Sequence, residues 1–287
     1  MKNKCKIRIA LIFFAIAAIA ALYFVLLYQP SVEITIYNDN PNNNTENNST
    51  NKESADNNSA KESTEETDRQ LILDKWKGKD ISQVKTDKKA IALTFDGGAN
   101  ADGVERILSI LKDNGIKGTF FLTGQFIEKY PDKTKLILES GGEVGNHSYS
   151  HPYFTKLTDK EIKTELERTE SGFSKLNATF QPFFRFPYGD RNEETISKIN
   201  EDGYIAIRWT VDSLGWKGAS GGMTKESVEN RVISKTAPGA IILMHLGTNP
   251  DDKTQLDSDA LPEIISGLKS QGYDFVTITE ILASWNN

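Results

Sequence analysis

Short apolar runs of strand type alternate with longer amphipathic runs along the chain from Lys88 onward. The first pair is residues 90–95 followed by residues 103–114, and the second is residues 118–122 followed by residues 125–140. A bounded apolar run of four to eight residues predicts a buried strand, whereas apolar positions that recur every three or four residues predict a helix. Repetition of this order predicts an α/β fold with parallel strands and right-handed connections.

The same alternation continues to the end of the chain. The remaining predicted strands are residues 143–145, 183–186, 205–209, 240–245 and 275–279, and the remaining predicted helices are residues 159–176, 193–202, 225–235 and 260–271. About seven parallel strands without a GxGxxG fingerprint favour a distorted (β/α) barrel over an open dinucleotide-binding sheet. Glycines such as those at positions 115, 203 and 272 end helices where the pattern requires it.

The first 69 residues have the composition of a membrane anchor and a tether. Residues 1–8 are basic, and residues 9–27 contain no charge and are long enough to cross a hydrocarbon core of about 30 Å. The basic flank predicts a single-pass cell-membrane protein whose N-terminus stays in the cytoplasm and whose remainder is extracytoplasmic. A cleaved signal peptide is the alternative, although its apolar region is usually only about 7–15 residues long. Residues 28–69, almost entirely polar from Asn38 onward, predict a disordered linker.

Residues 70–287 are then expected to form one catalytic domain, because a chain of about 200 residues buries a single core. The formal net charge of −6 argues against a nucleic acid as partner. The only cysteine, Cys5, precedes the predicted anchor, so the predicted domain has no disulfide and no cysteine ligand for a metal. We expect this domain to be a monomer.

Polar or aromatic side chains follow five of the predicted strands, at the point where each strand ends. These are Asp96, the pair His147 and His151, Arg185 with Tyr188, Asp212 with Trp216, and His245. Because the C-terminal ends of parallel strands meet at one rim of a sheet or barrel, these side chains are expected to line a shared pocket.

All three histidines of the chain belong to this set. His147 and His151 are four residues apart, a spacing at which two imidazoles on one helical turn bind one metal ion. His245 ends an apolar strand, where it is placed for proton transfer. Such a set predicts metal-dependent hydrolysis, because a dication polarises an amide carbonyl and activates a bound water. Packed histidines without a ligand are one alternative, and a serine nucleophile is another, but the chain lacks the GxSxG elbow.

Five segments, taken in order, resemble the polysaccharide deacetylases with a NodB-like domain, which form carbohydrate esterase family 4. They are residues 94–98, 147–152, 185–189, 212–216 and 243–245. The resemblance covers about residues 88–282. It implies a distorted (β/α) barrel, an N-acetylated amino-sugar polymer as substrate, and metal-dependent removal of the acetyl groups.

The resemblance also implies a role for each matching residue. Asp96 would be the general base, His147 and His151 would bind a divalent metal, and Arg185 would orient Asp96. Zinc is the expected ion, with cobalt and manganese as alternatives.

On the substrate side, the resemblance implies His245 as the general acid and the backbone N–H of Tyr188 as a donor to the oxyanion. The side chains of Tyr188 and Trp216 are expected to line the groove, since aromatic rings stack on sugars.

The sequence departs from the family pattern at two positions. The family usually has a second aspartate, a metal ligand, directly after the base, and Gly97 stands there. It often has an aspartate before the tryptophan of the fourth motif that tunes the acid histidine, and Gly215 stands there. Asp96 or Asp102 is expected to complete the ligand set, and Asp212 either replaces the tuning carboxylate or supports its strand end.

The predicted function is therefore that of an extracytoplasmic deacetylase of peptidoglycan, held close to the cell wall by an anchor and a linker. A deacetylase of another polymer, such as a chitin-like chain, an exopolysaccharide or acetylated xylan, is one alternative. A non-catalytic glycan-binding protein of the envelope is another, in which the two missing aspartates mark lost chemistry.

Overall fold

The computed structural model describes residues 70–283 of the chain. The strands in that part are β1 (Asp80–Ile81), β2 (Ala90–Gly97), β3 (Thr119–Leu122), β4 (Glu143–Asn146), β5 (Phe183–Phe184), β6 (Ile205–Ile207), β7 (Val211–Asp212), β8 (Ile241–His245) and β9 (Asp274–Val276). The helices are α1 (Val104–Asp113), α2 (Gly124–Lys129), α3 (Pro131–Glu139), α4 (Asp159–Lys175), α5 (Glu193–Glu201), α6 (Lys225–Lys235), α7 (Leu256–Ser270) and α8 (Ile278–Ala283), and residues 70–76 are also helical.

The strands form one parallel sheet in the order β1-β6-β5-β4-β3-β2-β8-β7, with β9 paired beside β2. The sheet curls into a half-barrel. Gln83, in the segment after β1, pairs with Ala240, which directly precedes β8 near the other edge of the sheet. The predicted α/β architecture with parallel strands is confirmed. The sequence pattern missed β1 and β7, which are two residues long and do not stand within a longer apolar run as β5 does.

Strand β2 shows how the fold positions polar groups. Its odd-numbered residues, from Ile91 to Phe95, join the core between the sheet and helices such as α1 and α7. Its even-numbered residues therefore face the inside of the curl, because successive side chains of a strand alternate between faces. Thr94 and Asp96 are among them, so the central strand carries a carboxylate into the concave side at its C-terminal end.

Three predicted boundaries were wrong for identifiable reasons. The single helix expected over residues 125–140 is divided into α2 and α3, because Pro131 has no N–H to continue α2 and instead starts α3. The last strand ends at Val276, since Thr277 and Glu280 form reciprocal hydrogen bonds that cap α8. Helix α7 begins at Leu256, four residues earlier than expected, with two aspartates in its first turn.

The predicted cytoplasmic segment, anchor and linker at residues 1–8, 9–27 and 28–69 lie outside the described residues. Among the helices within residues 70–283, none combines the length and the hydropathy needed to span a bilayer.

Candidate active site

Asp96 forms a buried ion pair with Arg185 on the concave side of the sheet. Oδ1 of Asp96 accepts a hydrogen bond from Nη1 of Arg185 at 2.7 Å, and the Arg185 side chain is fully buried. The guanidinium also donates to Oγ1 of Thr94 at 2.8 Å and to the carbonyls of Ile207 and Arg208 at 3.3 and 3.1 Å. Four hydrogen bonds thus compensate the buried charge and fix the direction of the carboxylate.

The charge of Asp96 is set by two opposing effects. Burial raises the pKa of the carboxyl group, but the guanidinium of Arg185 and the neighbouring imidazoles outweigh burial and hold the pKa below its ordinary value. Asp96 is therefore ionised near neutral pH and can accept a proton.

His147 and His151 lie on a loop after β4, not on the helical turn that their spacing predicted. Ser148 and His151 have positive φ angles of 65° and 61°, so the backbone folds back on itself. The two imidazole rings are nevertheless adjacent, with centroids 4.9 Å apart.

Hydrogen bonds within the protein hold this histidine loop, defined here as residues 147–151. The carboxylate of Glu165 in α4 accepts from the backbone N–H groups of Tyr149 and Ser150 at 2.8 and 2.7 Å, and from the Ser150 hydroxyl at 2.7 Å. Oδ1 of Asn146 accepts from the backbone N–H of Ser148 at 2.9 Å. Side chains of Glu165 and Asn146 thus fix the backbone conformation of the histidine loop.

The ring of His147 has a defined orientation. Its Nδ1 lies 2.8 Å from the carbonyl oxygen of Arg185, and a carbonyl can only accept, so Nδ1 carries the hydrogen. Burial lowers the pKa of His147, so the ring is neutral near pH 7 and Nε2 carries a lone pair. Nε2 lies 3.4 Å from Oδ2 of Asp96, so two electron-pair donors face each other. A cation between them would convert this repulsion into attraction.

His151 is equally suited to act as a neutral ligand. Burial, reinforced by the charge of His147, lowers the pKa of His151 to about 3. A neutral imidazole is the form that binds metals, and a ligating histidine commonly donates its other N–H to a carbonyl, as His147 does.

The donor set supplies part of an open metal site. Within residues 70–283, no three His, Cys, Asp or Glu side chains cluster closely enough to enclose a metal ion. His147 and His151 would supply two nitrogens, with the Asp96 carboxylate beside them, and water or substrate would complete the coordination. Asp102 is engaged elsewhere, because its Oδ2 accepts from the Thr248 hydroxyl at 2.9 Å.

Gly97 lies on the opposite face of β2 from Asp96. A Cβ atom at Gly97 would lie 2.8 Å from Cδ2 of Leu122, 3.0 Å from Cδ1 of Leu246 and 3.4 Å from Cε2 of Phe126. All three of these side chains are fully buried. A side chain at position 97 would therefore point into the apolar core and away from the histidines.

Gly97→Asp is expected to lower the free energy of unfolding by about 3 kcal/mol or more without tightening zinc binding. Overpacking costs about 1–3 kcal/mol, and an unpaired buried charge adds to it. Gly97→Ala, which adds only the methyl group, separates the steric cost from the charge. Urea unfolding measures stability, and calorimetric titration with zinc measures affinity. Tighter zinc binding by a stably folded Gly97→Asp variant would show that the strand end can turn a carboxylate toward the histidines.

His245 ends β8 beside Asp96, its register partner on β2. Burial lowers the pKa of His245, but contact with Asp257 and the charges of Asp96 and Asp212 outweigh burial and raise it above its ordinary value. The backbone N–H of His245 donates to Oδ2 of Asp257 at 2.9 Å. Asp257 was not among the residues that the sequence singled out, although an aspartate in the first helical turn after the histidine strand was a usable signal.

Asp212 supports its own loop. Its Oδ1 accepts from the backbone N–H of Leu214 at 2.9 Å, and its backbone carbonyl accepts from Nε of Arg231 at 2.7 Å. Nε1 of Trp216 lies 3.5 Å from its Oδ2. The carboxylate nearest to the His245 ring is that of Asp257, at 3.5 Å from Nδ1.

Two aromatic side chains border the site with large exposed fractions, 59% for Tyr188 and 47% for Trp216. Tyr188 stacks on Tyr153 with ring centroids 4.4 Å apart and contacts the edge of His151. Tyr188 also has a positive φ of 58°. Tyr149, by contrast, is buried and donates a hydrogen bond to Glu128.

A groove of about 610 Å³ connects these residues. Its lining includes Asp96, His147, His151, Tyr188, Asp212, Trp216, His245, Thr248 and Pro250. Arg185 lies behind Asp96, and the segment after His245 forms part of the groove wall. A second groove of about 700 Å³, near the starts of β3 and β4, is lined by none of these residues.

Comparison with known proteins places this geometry in context. A family model described as polysaccharide deacetylase matches residues 83–207. The peptidoglycan-N-acetylglucosamine deacetylase of Bacillus cereus is 36% identical over 191 residues, which are 67% of this chain and 67% of the relative. The peptidoglycan-N-acetylmuramic acid deacetylase PdaC of Bacillus subtilis is 35% identical over 198 residues, which are 69% of this chain and only 40% of PdaC.

A solved structure is similar over a comparable span. The crystal structure of BA3943 from Bacillus anthracis, described as a pseudoenzyme of the CE4 family, has 32% identity and a TM-score of 0.66, covering 72% of this chain and 70% of BA3943. A mutant of BA3943 described as having restored enzymatic activity gives the same TM-score. The curled parallel sheet is thus shared with this family of structures.

Proposed function

This chain belongs to the polysaccharide deacetylase family, hydrolases that act on carbon–nitrogen bonds other than peptide bonds, and we propose that it removes N-acetyl groups from peptidoglycan. Two relatives named as deacetylases of peptidoglycan sugars support this choice of polymer. One of them is named for N-acetylglucosamine and the other for N-acetylmuramic acid, so the proposal extends to the polymer and not to one sugar.

One observation carries the proposal: an ionised, oriented Asp96 and a partly buried His245 end adjacent strands at the same groove. The neutral His147 lies beside Asp96, and His151 lies beside His147. Amide hydrolysis needs a base for the attacking water and an acid for the leaving amine. The two strand ends supply both types of group within one site.

In the proposed reaction, Asp96 takes a proton from the attacking water, and Arg185 holds its carboxylate in place through the 2.7 Å hydrogen bond. His245 then donates a proton to the amine nitrogen as the bond to the acetyl carbon breaks. A divalent ion held by His147 and His151 would polarise the acetyl carbonyl and lower the pKa of the water.

The groove also offers surfaces for the sugar chain. The backbone N–H of Tyr188 is proposed to donate to the oxyanion, and the exposed rings of Tyr188 and Trp216 are proposed to pack against sugar faces. An apolar ring face matches the C–H face of a pyranose, while its polar hydroxyls remain in water.

Acetate release by the purified full chain tests the proposal. The protein is treated with a chelator, supplied with zinc, cobalt or manganese, and assayed with N-acetylated peptidoglycan and with chitin oligomers. We expect metal-restored release that is faster from peptidoglycan, and mass spectrometry of the digested product then identifies the sugar. Absence of release with every metal, with glycan binding retained, would leave a binding protein instead.

The pH dependence of the reaction is expected to follow His245. An acid must be protonated, and its protonated fraction is lost as pH rises through its pKa, which lies above the ordinary value of about 6.5. We therefore expect kcat/KM for acetate release to fall only above this pH. His245→Gln should lower the rate by about 10²- to 10⁴-fold and abolish this fall of kcat/KM at high pH. If the fall of kcat/KM at high pH persists in His245→Gln, another group causes it.

We also propose that residues 9–27 anchor the protein in the cell membrane, with residues 28–69 as a linker and residues 70–287 as the extracytoplasmic catalytic domain. The basic flank and uncharged run of the sequence support this arrangement. Protease accessibility of the domain in intact cells, compared with lysed cells, tests the orientation.

A further inference from the structure

The carboxylate of Asp257 is buried against His245. The side chain of Asp257 is only 4% exposed, and its Oδ2 accepts a 2.9 Å hydrogen bond from the backbone N–H of His245. The same Oδ2 lies 3.5 Å from Nδ1 of the His245 ring. Within residues 70–283, neither Nδ1 of His245 nor Oδ1 of Asp257 has a hydrogen-bonding partner, although both atoms are buried. Buried polar atoms of this kind are rarely left unused.

Asp257 also occupies the space beside Gly215. A Cβ atom at Gly215 would lie 2.6 Å from Cγ of Asp257 and 3.0 Å from its backbone nitrogen, and closest of all to Oδ1. No side chain larger than hydrogen is compatible with this arrangement. The two positions therefore share one space, which the α7 carboxylate fills.

We infer that Asp257 is the positioning residue of His245 in the proposed deacetylation, an inference that rests on the proposed function. Its carboxylate holds the ring in the orientation and tautomer that leave Nε2 to serve the groove. Gly215 has no side chain because the carboxylate approaches His245 from helix α7 and not from the loop after β7.

The physical effect follows from the chemistry of imidazole. A carboxylate beside Nδ1 favours the tautomer with hydrogen on Nδ1 and stabilises the imidazolium form. Asp96 and Asp212 also act on His245 by their charge, but Asp257 is the acid that contacts the ring. The position of Asp257 at the start of α7, the helix that packs behind β8, makes the contact rigid.

Four variants of the full chain test the inference. Asp257→Asn keeps the size and an acceptor oxygen but removes the charge, and we expect kcat for acetate release to fall about tenfold or more with KM changed less than about twofold. Asp259→Asn is the matched control, because Asp259 lies in the same turn but pairs with Arg106 at the surface. Its kcat should equal that of the parent.

The third variant, Gly215→Asp combined with Asp257→Gly, moves the carboxylate to the other side of the shared space. We expect it to recover most of the kcat lost in Asp257→Gly alone, which a purely structural role of Asp257 would not produce. Failure to recover kcat in a folded double variant, or equal losses in Asp257→Asn and Asp259→Asn, would overturn the inference.

A readout independent of catalysis separates this inference from the proposed function. The chain has only three histidines, so long-range nitrogen–proton NMR spectra of nitrogen-labelled protein resolve each ring, and His245→Gln identifies the signal. We expect His245 to be protonated on Nδ1 in the parent and in Asp259→Asn, and to gain the other tautomer in Asp257→Asn. Unchanged tautomer populations in Asp257→Asn would contradict the inference even if the parent releases no acetate.

Discussion

Asp96→Asn is expected to lower the rate of acetate release by about 10²- to 10⁴-fold, the range that a positioned general base contributes. An amide cannot take the proton of the attacking water, and the substitution removes the negative charge that faces Nε2 of His147 at 3.4 Å. The measurement is kcat/KM with peptidoglycan at saturating metal. We expect glycan binding to persist, because the exposed aromatic rings at the groove rim are unchanged.

The substitution also leaves the buried charge of Arg185 without its partner, so we expect the variant to have a lower free energy of unfolding than the parent. Circular dichroism at the assay temperature must show a folded protein before the rates are compared. Asp113→Asn, at an exposed position on α1, provides the control for loss of a carboxylate far from the groove. Retention of more than about a tenth of the parent rate by Asp96→Asn would assign the role of base to another group.

Arg185→Met is expected to lower the free energy of unfolding by about 3–5 kcal/mol, the usual cost of removing one partner of a buried ion pair. The substitution leaves Asp96 ionised and unpaired inside the half-barrel and removes the donors to the carbonyls of Ile207 and Arg208. Such a change is a large part of the about 5–15 kcal/mol that stabilises a typical domain. Urea unfolding monitored by tryptophan fluorescence measures it.

Two comparisons show whether burial causes this loss. Arg106→Met removes an ion pair whose side chains are 51% and 35% exposed, and it should cost about 1 kcal/mol or less. The double variant Asp96→Asn with Arg185→Met should be more stable than Arg185→Met alone, because it no longer buries an unpaired carboxylate. Equal losses of unfolding free energy in Arg185→Met and Arg106→Met would mean that burial does not increase the contribution of the Asp96–Arg185 pair.

Much of the site was predictable because strand ends follow from local sequence. Asp96 and His245 directly end apolar runs, and Arg185 directly follows one, so parallel pairing alone brings them together. The His147 and His151 pair also came together, but through two positive φ angles and not through a helical turn. Spacing of four residues fits both geometries, so sequence could not distinguish them.

Other features depend on tertiary contacts that a local pattern does not show. Asp257 reaches His245 from the next helix, and it lies outside the helix predicted at residues 260–271 because α7 begins four residues earlier. A side chain at position 97 would point into the core because the alternation of β2 continues one residue past Asp96. The apolar run in the sequence had already ended there. The sequence showed that Gly215 stands where the family often has an aspartate. Only the packing shows that Asp257 occupies the space of that missing carboxylate.

The hydrogen bonds from the histidine loop to Glu165 and Asn146 bear on when the metal can arrive. These contacts within the chain fix the backbone of the loop on which the two imidazoles lie. Binding of the proposed ion would then require little ordering of the loop, and its release would leave the ligands in place. The proposed ion would therefore exchange with the surrounding medium without refolding of the loop.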